Sequence, residues 1–263
     1  MARRFGIELE VTGGNCNMLQ VAALIAAEGI KINVEGYNHT LRRAWKIVSD
    51  GSLRGTNMME LVSPPLKGKK GMAEVATVAR VLSANAVTVN SSCGMHVHVD
   101  AVNMTAQNIK NAAKLFAIHE EHIKALLPQS RRITQWAKWP SDLRIGETVQ
   151  ARCDAINHTT TVLQLQTLWG RDRYRAINFE SLSRHNTIEF RSHSGTVDAT
   201  KIMAWVALCL GIVRNAQQNI DLGIKRPCGS NRQFTTLVRY AGQANVKYFF
   251  DRRVQFAADA TAI

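Results

Sequence analysis

The sequence predicts an α+β fold, in which several mixed, mainly antiparallel strands are backed by helices. The segments 5–11, 94–100 and 186–193 alternate polar and apolar residues with the period of two that is typical of β-strands. The longer segments between them repeat their apolar residues with the period of a helix. No linker rich in Pro, Gly or Ser divides the chain, and no repeat is found, so we expect one domain over 1–263.

Shorter elements fill the intervals between these strands. In the first half we expect a helix at 17–28, strands near 31–37 and 45–49, a strand from Met58 that stops at Pro64 and Pro65, and a helix at 69–85. In the second half we expect a helix at 105–127, partly helical structure at 147–168, a strand at 174–179 that pairs with 186–193, an apolar helix at 199–219, and a basic helical extension at 220–263.

The net charge of +13 implies affinity for polyanions such as nucleic acid, nucleotide phosphates or anionic substrates. The basic residues are spread along the chain, and a solvated basic surface explains most of them equally well. A nucleic-acid-binding protein is therefore one alternative, although aromatic residues make up only 6% of the chain and are not interleaved with the basic clusters.

The cysteines are odd in number and scattered, which argues against a disulfide framework and for a reducing compartment. They are Cys16, Cys93, Cys153, Cys209 and Cys228. The N-terminus lacks an apolar signal segment, and nothing approaches 18 uninterrupted apolar residues. We therefore expect a soluble, cytoplasmic protein without a membrane partner.

Each of the three alternating strands has an apolar face opposite a face of ionisable residues. Because alternate side chains share one face of a strand, the ionisable faces carry Glu8 and Glu10; His96, His98 and Asp100; and Glu189, Arg191 and His193. One such strand is easily an amphipathic surface strand. Three strands with these residue types suggest a shared metal-binding surface. Glu60, an acid on a largely apolar strand, is either an inward ligand or a structural acid.

Four carboxylates and one imidazole (Glu8, Glu10, Glu60, Glu189 and His96) suit magnesium or manganese better than zinc. A set this large could hold two ions, which can clamp a triphosphate during phosphoryl transfer. Arg191 would add a bidentate phosphate donor. Since no GxxxxGK[ST] motif occurs, the combination indicates ATP-dependent catalysis without a P-loop. The rival is a metal-dependent hydrolase with a zinc-like cluster of Cys93, His96 and His98.

The run His119-Glu120-Glu121-His122 superficially resembles a zinc-protease motif. That motif needs its two histidines four residues apart on a helix. Here they are three apart, so we expect surface or boundary residues.

Several motifs follow one another along the chain in a characteristic order. They are Phe5-Gly-Ile-Glu-Leu-Glu, Asp50-Gly-Ser, Glu60-Leu-Val-Ser-Pro, Cys93-Gly-Met-His-Val-His-Val, Ser130-Arg131, Asn178 and Thr187-Ile-Glu-Phe-Arg-Ser-His-Ser-Gly-Thr196. Together they resemble the amidoligase family, which belongs to the carboxylate–amine ligases related to glutamine synthetase and glutamate–cysteine ligase. Their order and spacing match over about residues 5–215. The segment 220–263 shows no family signature.

The resemblance implies a glutamine-synthetase-like sheet that forms a funnel or half-barrel, and it implies a role for each motif. Glu8, Glu10, Glu60, His96 and Glu189 would bind metal. His98 would face nucleotide phosphate or substrate, Arg191 would hold the transferring phosphate, and Arg131 and Asn178 would contact substrate or nucleotide. Asp50 would be a ligand, a base for the amine proton or only a turn residue, and His193 a substrate contact or a structural residue. Cys93 receives no catalytic role.

The implied reaction is ATP-dependent amide formation through an acyl phosphate, with Mg²⁺ or Mn²⁺ in two or more sites. The acid and amine substrates could be amino acids, a peptide, a polyamine or a modified nucleotide, and the basic clusters would favour an acidic or polyanionic partner. A homo-oligomer is compatible with the resemblance, because the sites of glutamine synthetase lie between subunits.

Overall fold

The structure is a computed structural model that describes residues 3–38, 40–218 and 230–261. Cys228 lies outside the described residues. The chain divides into two compact units, each of them discontinuous in sequence: unit 1 comprises Met1–His98 with His193–Val206, and unit 2 comprises Val99–Ser192 with Ala207–Ile263. A single catalytic domain over 1–263 stays a prediction.

The strands, in chain order, are β1 (Arg4–Thr12), β2 (Ile32–Val34), β3 (Trp45–Val48), β4 (Met58–Val62), β5 (Leu66–Lys67), β6 (Gly94–Asp100), β7 (Ile177–Asn178) and β8 (Thr187–Ser194). The helices are α1 (Met18–Ala27), α2 (Gly68–Ala84), α3 (Ala106–Ile118), α4 (Glu120–Lys124), α5 (Gln129–Arg132), α6 (Val149–His158), α7 (Val162–Leu168), α8 (Ser181–His185), α9 (Ala199–Gln218), α10 (Asn231–Tyr240) and α11 (Val246–Thr261). The predicted α+β class is confirmed.

The sheet of unit 1 has the strand order β2-β3-β4-β1-β6, and the short β5 also pairs with β1. β1 is antiparallel to β4 and to β5, β3 is antiparallel to β4, and only the pairing of β2 with β3 is parallel among the registers described. Helix α1 packs on β2 and β3, and α2 packs beside α1 and β5. This is the predicted mixed, mainly antiparallel sheet backed by helices.

The alternation of each strand places its apolar side chains in the core. Ile7, Leu9 and Val11 of β1 are almost fully buried, as are Leu61 of β4 and Val97 of β6. A one-residue slip would turn all of these side chains to the opposite face, so burial of this apolar set specifies the register. The ionisable residues of the same strands consequently share the other face.

Unit 2 has a helical core around α3, which packs on α6 and α7. Phe116 of α3 stacks on Trp139 with ring centroids 5.7 Å apart and also contacts Phe190 of β8. The Nζ of buried Lys110 donates to the carbonyl oxygens of Asn157 and Thr159 at the end of α6. A cation is favourable there, because the last carbonyls of a helix have no partner within it.

The predicted pairing of 174–179 with 186–193 is confirmed, although the first strand is shorter than expected. In β7, Ile177 pairs with Phe190 and Asn178 pairs with Glu189, in antiparallel register. The connection is the short helix α8, which ends at Asn186 in the left-handed conformation (φ 54°). Asparagine tolerates this conformation better than most residues do.

The helix predicted at 105–127 is interrupted at His119, which lies between α3 and α4. The helix predicted at 199–219 is α9, and among the described residues it is the one helix that is long and apolar enough to cross a membrane. This is weak evidence for a span, since 56% of its apolar window is already buried within the protein. A helix of a soluble protein's core has the same composition.

Candidate functional site

The pairing of β1 with β4 places two glutamates directly opposite each other. Glu10 is the register partner of Glu60, and β6 flanks β1 on its other side. As a result, one ligand atom from each of Glu10, Glu60 and His96 lies within 4.8 Å of the others. The backbone N–H of Gly94 donates to Glu10 Oε2, which fixes the orientation of this carboxylate. We refer to Glu8, Glu10, Glu60 and His96 as the carboxylate cluster.

Glu8 lies between the two histidines of β6. Its Oε2 is 2.9 Å from Nδ1 of His96, and its Oε1 is 3.2 Å from Nε2 of His98. Burial alone would raise the pKa of Glu8, but His98 and His96 together hold this pKa well below its usual range. Glu8 is therefore ionised at neutral pH.

Glu60 shows the opposite behaviour. Burial raises its pKa to about 10, and the neighbouring carboxylates of Glu8, Glu10 and Asp50 contribute in the same direction. The cluster thus holds more carboxylates than can ionise together in this environment. A divalent cation would remove that conflict, and oxygen donors with a single imidazole fit Mg²⁺ or Mn²⁺. The residues present therefore fit the metal that the sequence predicts.

Asp50 and His193 also lie in unit 1. Asp50 lies near enough to contribute slightly to the raised pKa of Glu60. Its Oδ1 also accepts from the backbone N–H of Ser52, as a turn-forming aspartate does. Buried His193 packs its ring 4.9 Å from that of Trp205, and its Nδ1 lies 2.7 Å from the carbonyl oxygen of Ser194.

In unit 2, β7 and β8 bring together three further predicted residues. Asn178 Nδ2 donates to Glu189 Oε2 at 2.6 Å, and Arg191 Nη1 donates to Glu189 Oε1 at 2.5 Å. Asn178 and Glu189 are 3% and 5% exposed. Both oxygens of Glu189 are thus held in fixed positions, and the guanidinium of Arg191 is oriented by its charge-assisted bond to Glu189.

Arg131 lies on α5 and is buried, and its carbonyl oxygen accepts from the indole Nε1 of Trp139 at 3.1 Å. Cys93 is buried and has its Sγ 3.7 Å from Asn90 Oδ1. The described part of the chain does not place Cys93 in the metal-ligand group of His96, Glu10 and Glu60. This disfavours the zinc-like hydrolase cluster.

Two glycines shape the carboxylate cluster in ways that the spacing of ionisable residues does not reveal. A Cβ at Gly195 would meet the Cβ of Cys93 at 2.6 Å and the carbonyl oxygen of Glu10 at 3.1 Å. Gly94 contributes the N–H that orients Glu10. The sequence offers one signal for these positions. Gly94 is the first residue of β6, and Gly195 directly follows the last residue of β8.

The expectation that His119 and His122 are surface or boundary residues is wrong, since each is only 3% exposed. The ring of His119 lies 5.8 Å from that of Tyr240, and the ring of His122 lies 5.5 Å from that of Phe234. Both aromatic residues belong to α10, in the segment without a family signature. That helix covers the histidines. Because it is distant in sequence, the residues around His119 and His122 alone do not indicate that the two rings are buried.

Two of the solved structures that are similar to this chain have low sequence identity to it. One, a bifunctional glutathione synthetase from Pasteurella multocida, is 10% identical, with a TM-score of 0.49 over 97% of this chain and 47% of the other. The chain thus spans about half the length of that protein. The other, a glutamine synthase homolog, is 12% identical, with a TM-score of 0.45 over 99% of this chain and 67% of the other.

None of the curated proteins compared with this chain matches it. The family described as "Putative amidoligase enzyme" matches residues 1–213, which contain every predicted site residue. This match covers more than half of the chain and supports a ligase that forms amide bonds. The chain belongs to the amidoligase family.

Proposed function

We propose that this protein is an ATP-dependent carboxylate–amine ligase that forms an amide bond through an acyl phosphate. The observation that carries the proposal is the carboxylate cluster, in which Glu10, Glu60 and His96 can bind one ion and the pKa of Glu60 is raised to about 10. Such a concentration of acids costs free energy unless a cation is bound. Membership of the amidoligase family supports the bond that is formed.

Glu8, Glu10, Glu60 and His96 would hold Mg²⁺ or Mn²⁺ in two or more sites, and we assign Glu189 to the same role from its place in the motif. When bound, these ions supply Lewis-acid stabilisation of the charge on the phosphates. The bonds from His96 and His98 keep Glu8 ionised, as a metal ligand must be.

Arg191 binds the phosphoryl group in this proposal. Its Nη1 is engaged with Glu189, so the guanidinium is oriented before the substrate arrives. Such preorganisation matters because a donor that needs no rearrangement stabilises the transition state most effectively. The proposal gives His98, Arg131 and Asn178 contacts with nucleotide or substrate.

In the first step, a carboxylate oxygen of the acid substrate attacks the γ-phosphorus of ATP, and ADP leaves. In the second step, the amine nitrogen attacks the acyl carbon, the C–O bond breaks and inorganic phosphate leaves. The amine must lose a proton as the amide forms. Asp50, whose charge acts on Glu60, is the base in this proposal, and Glu60 is the alternative.

The acid and amine substrates are proposed only as classes, namely a small molecule or a peptide on each side, with an acidic or polyanionic partner favoured by the net charge of +13. We place the reaction in the cytoplasm. The described cysteines Cys16, Cys93, Cys153 and Cys209 are free thiols, which is compatible with that compartment.

The test is release of phosphate from ATP with Mg²⁺ or Mn²⁺, screened over amino acids, peptides and amines. Substrate-stimulated release that Glu189→Ala abolishes is the expected result. Glu121→Ala is the matched control, because this glutamate is 72% exposed and lies on α4. Stoichiometric zinc in the purified protein, together with no binding of ATP, would overturn the proposal in favour of a metal-dependent hydrolase.

A further inference from the structure

We propose that an exposed patch on unit 2 binds single-stranded nucleic acid. The patch consists of Trp136, Lys138, Arg173 and Tyr174, and we call it the aromatic–basic patch. This binding goes beyond the proposed ligase activity, because none of these four residues is assigned to metal, phosphate or substrate binding.

The backbone brings two distant segments together at this patch. The N–H of Lys138 donates to the carbonyl oxygen of Tyr174 at 3.0 Å, and the N–H of Ala176 donates to the carbonyl oxygen of Lys138 at 2.8 Å. Ala137 is 1% exposed. Because this alanine points inward, its neighbours Trp136 and Lys138 both reach solvent.

The aromatic rings of the patch are arranged for stacking. The rings of Trp136 and Tyr174 meet edge to face, with centroids 5.3 Å apart and an interplanar angle of 73°. The edge-to-face contact holds the indole in place. Trp136 is 51% exposed, whereas Trp139 and Trp169 are 0% and 3% exposed. A half-exposed tryptophan that is fixed by a neighbouring ring offers a planar surface on which a nucleobase can stack.

Positive charge lies next to these rings. The guanidinium of Arg173 is 5.3 Å from the centroid of the Tyr174 ring, and the ammonium group of Lys138 belongs to the same paired segments. The neighbouring acid Asp172 is engaged by Arg175 at 2.5 Å, so its charge is compensated locally. The patch is therefore compatible with binding of phosphate groups. The net charge of +13 of the whole chain is compatible with it too.

Aromatic faces alternating with cations are the usual chemistry of proteins that bind single strands, because bases stack while lysine and arginine follow the backbone. An acidic peptide would use the cations but not the exposed indole face. Duplex nucleic acid would use the cations too, but its bases are already stacked on one another. Each segment carries one aromatic and one basic residue, Trp136 with Lys138 and Arg173 with Tyr174. The pairing of the two segments brings the two rings together.

The test is fluorescence anisotropy of a labelled single-stranded oligothymidylate of about 12 nucleotides, titrated with the full chain at low salt. We expect Trp136→Ala to weaken binding about 10-fold, and Tyr174→Leu to weaken it to a smaller extent. Lys138→Ala should lower the slope of log Kd against log salt by about 0.7, the contribution of one phosphate contact on a single strand.

The control variant is Tyr37→Ala, which removes an aromatic ring that is 58% exposed and lies in unit 1. It should bind the oligothymidylate as the wild type does, and circular dichroism should show that all variants are folded. Unchanged binding in both Trp136→Ala and Tyr174→Leu would overturn the proposal. So would equal affinity for a duplex or for polyglutamate of matched charge, since a charge-only surface does not distinguish these ligands.

Discussion

Acids and imidazoles are concentrated at two places in the molecule. One is the carboxylate cluster in unit 1, and the other is the histidine pair His119 and His122 in unit 2 with the neighbouring Glu120. The charges are compensated within the protein at the histidine pair but not at the carboxylate cluster. Around the histidines, Glu120 accepts from the backbone N–H and the hydroxyl of Ser141 and is paired with Lys124. The pKa of His119 is lowered to about 3, mainly by burial and further by His122, so the ring is neutral.

The carboxylate cluster reaches no such internal balance. Glu60 remains beside three other carboxylates, and its pKa is raised to about 10. From this difference we infer that a motif of ligand-type residues binds a ligand where the fold leaves a charge conflict, and is structural where the fold has already resolved the conflict.

The largest expected effect is loss of activity in Glu10→Ala. Removing this carboxylate should lower substrate-stimulated phosphate release by at least about 100-fold, because it removes a candidate ligand that the N–H of Gly94 holds in place. The free energy of unfolding without metal should change little. If phosphate release persists at the wild-type rate, while Glu121→Ala behaves identically, the carboxylate cluster is not the site of catalysis.

The next largest effect is loss of stability in His119→Ala. The buried ring packs against Tyr240, so truncation should leave a cavity and lower the free energy of unfolding by about 2 kcal/mol. Urea denaturation measures this change. Activity of the folded variant at low temperature should equal that of the wild type, and a selective loss of kcat in a stable protein would show that this histidine is functional.

The contrast also shows which features of the site could be predicted from the sequence. The alternation in β1, β6 and β8 predicted which side chains share the ionisable faces, because a strand's period of two is a local property. The register that places Glu10 opposite Glu60 could not be predicted in the same way. Register depends on pairing between distant segments and on turns whose geometry the composition does not specify.

Burial of the histidine pair could not be predicted from the sequence either. It depends on α10, which packs Phe234 and Tyr240 on the two rings. The local run His119-Glu120-Glu121-His122 is polar, and propensity read along it favours solvent. The interruption of the predicted helix at His119 was not predicted either, because helix propensity along a segment does not specify where a helix breaks.

A third effect, smaller for each pH unit, is the pH dependence of the histidine pair. Burial lowers the pKa of His119 to about 3, and burial followed by Arg253 lowers the pKa of His122. Since the folded-state values lie below the unfolded value of about 6.5, stability is fully present above pH 6.5 and is lost as the pH falls toward 3. Glu121 opposes the shift of His122 only as a minor contributor.

The expected slope for one buried histidine is roughly 1 kcal/mol per pH unit below pH 6. Urea denaturation between pH 4 and pH 7 measures it. His119→Gln, which cannot titrate, should reduce the slope by about half. An unchanged slope in this variant would mean that other groups cause the acid sensitivity.

The smallest expected effect has the opposite sign and concerns Glu60. Its folded-state pKa of about 10 lies above the unfolded value, so its contribution to stability is fully present at low pH and is lost as the pH rises from 4.5 toward 10. In metal-free protein, Glu60→Gln should therefore raise the free energy of unfolding at pH 8, by about 1 kcal/mol after allowance for relaxation of the site. Differential scanning calorimetry in the presence of a chelator measures the gain as a rise in Tm.

The same substitution should abolish the stabilisation that Mg²⁺ or Mn²⁺ gives to the wild type, because the amide cannot balance the charge of the cation. If Glu60 serves metal binding and not folding, Glu60→Gln must both raise the stability of the metal-free protein and abolish its stabilisation by metal. A Glu60→Gln protein that is less stable without metal would place this glutamate with Glu120, as an acid whose charge the fold already satisfies. The distinction between the carboxylate cluster and the histidine pair would then fail at its central residue.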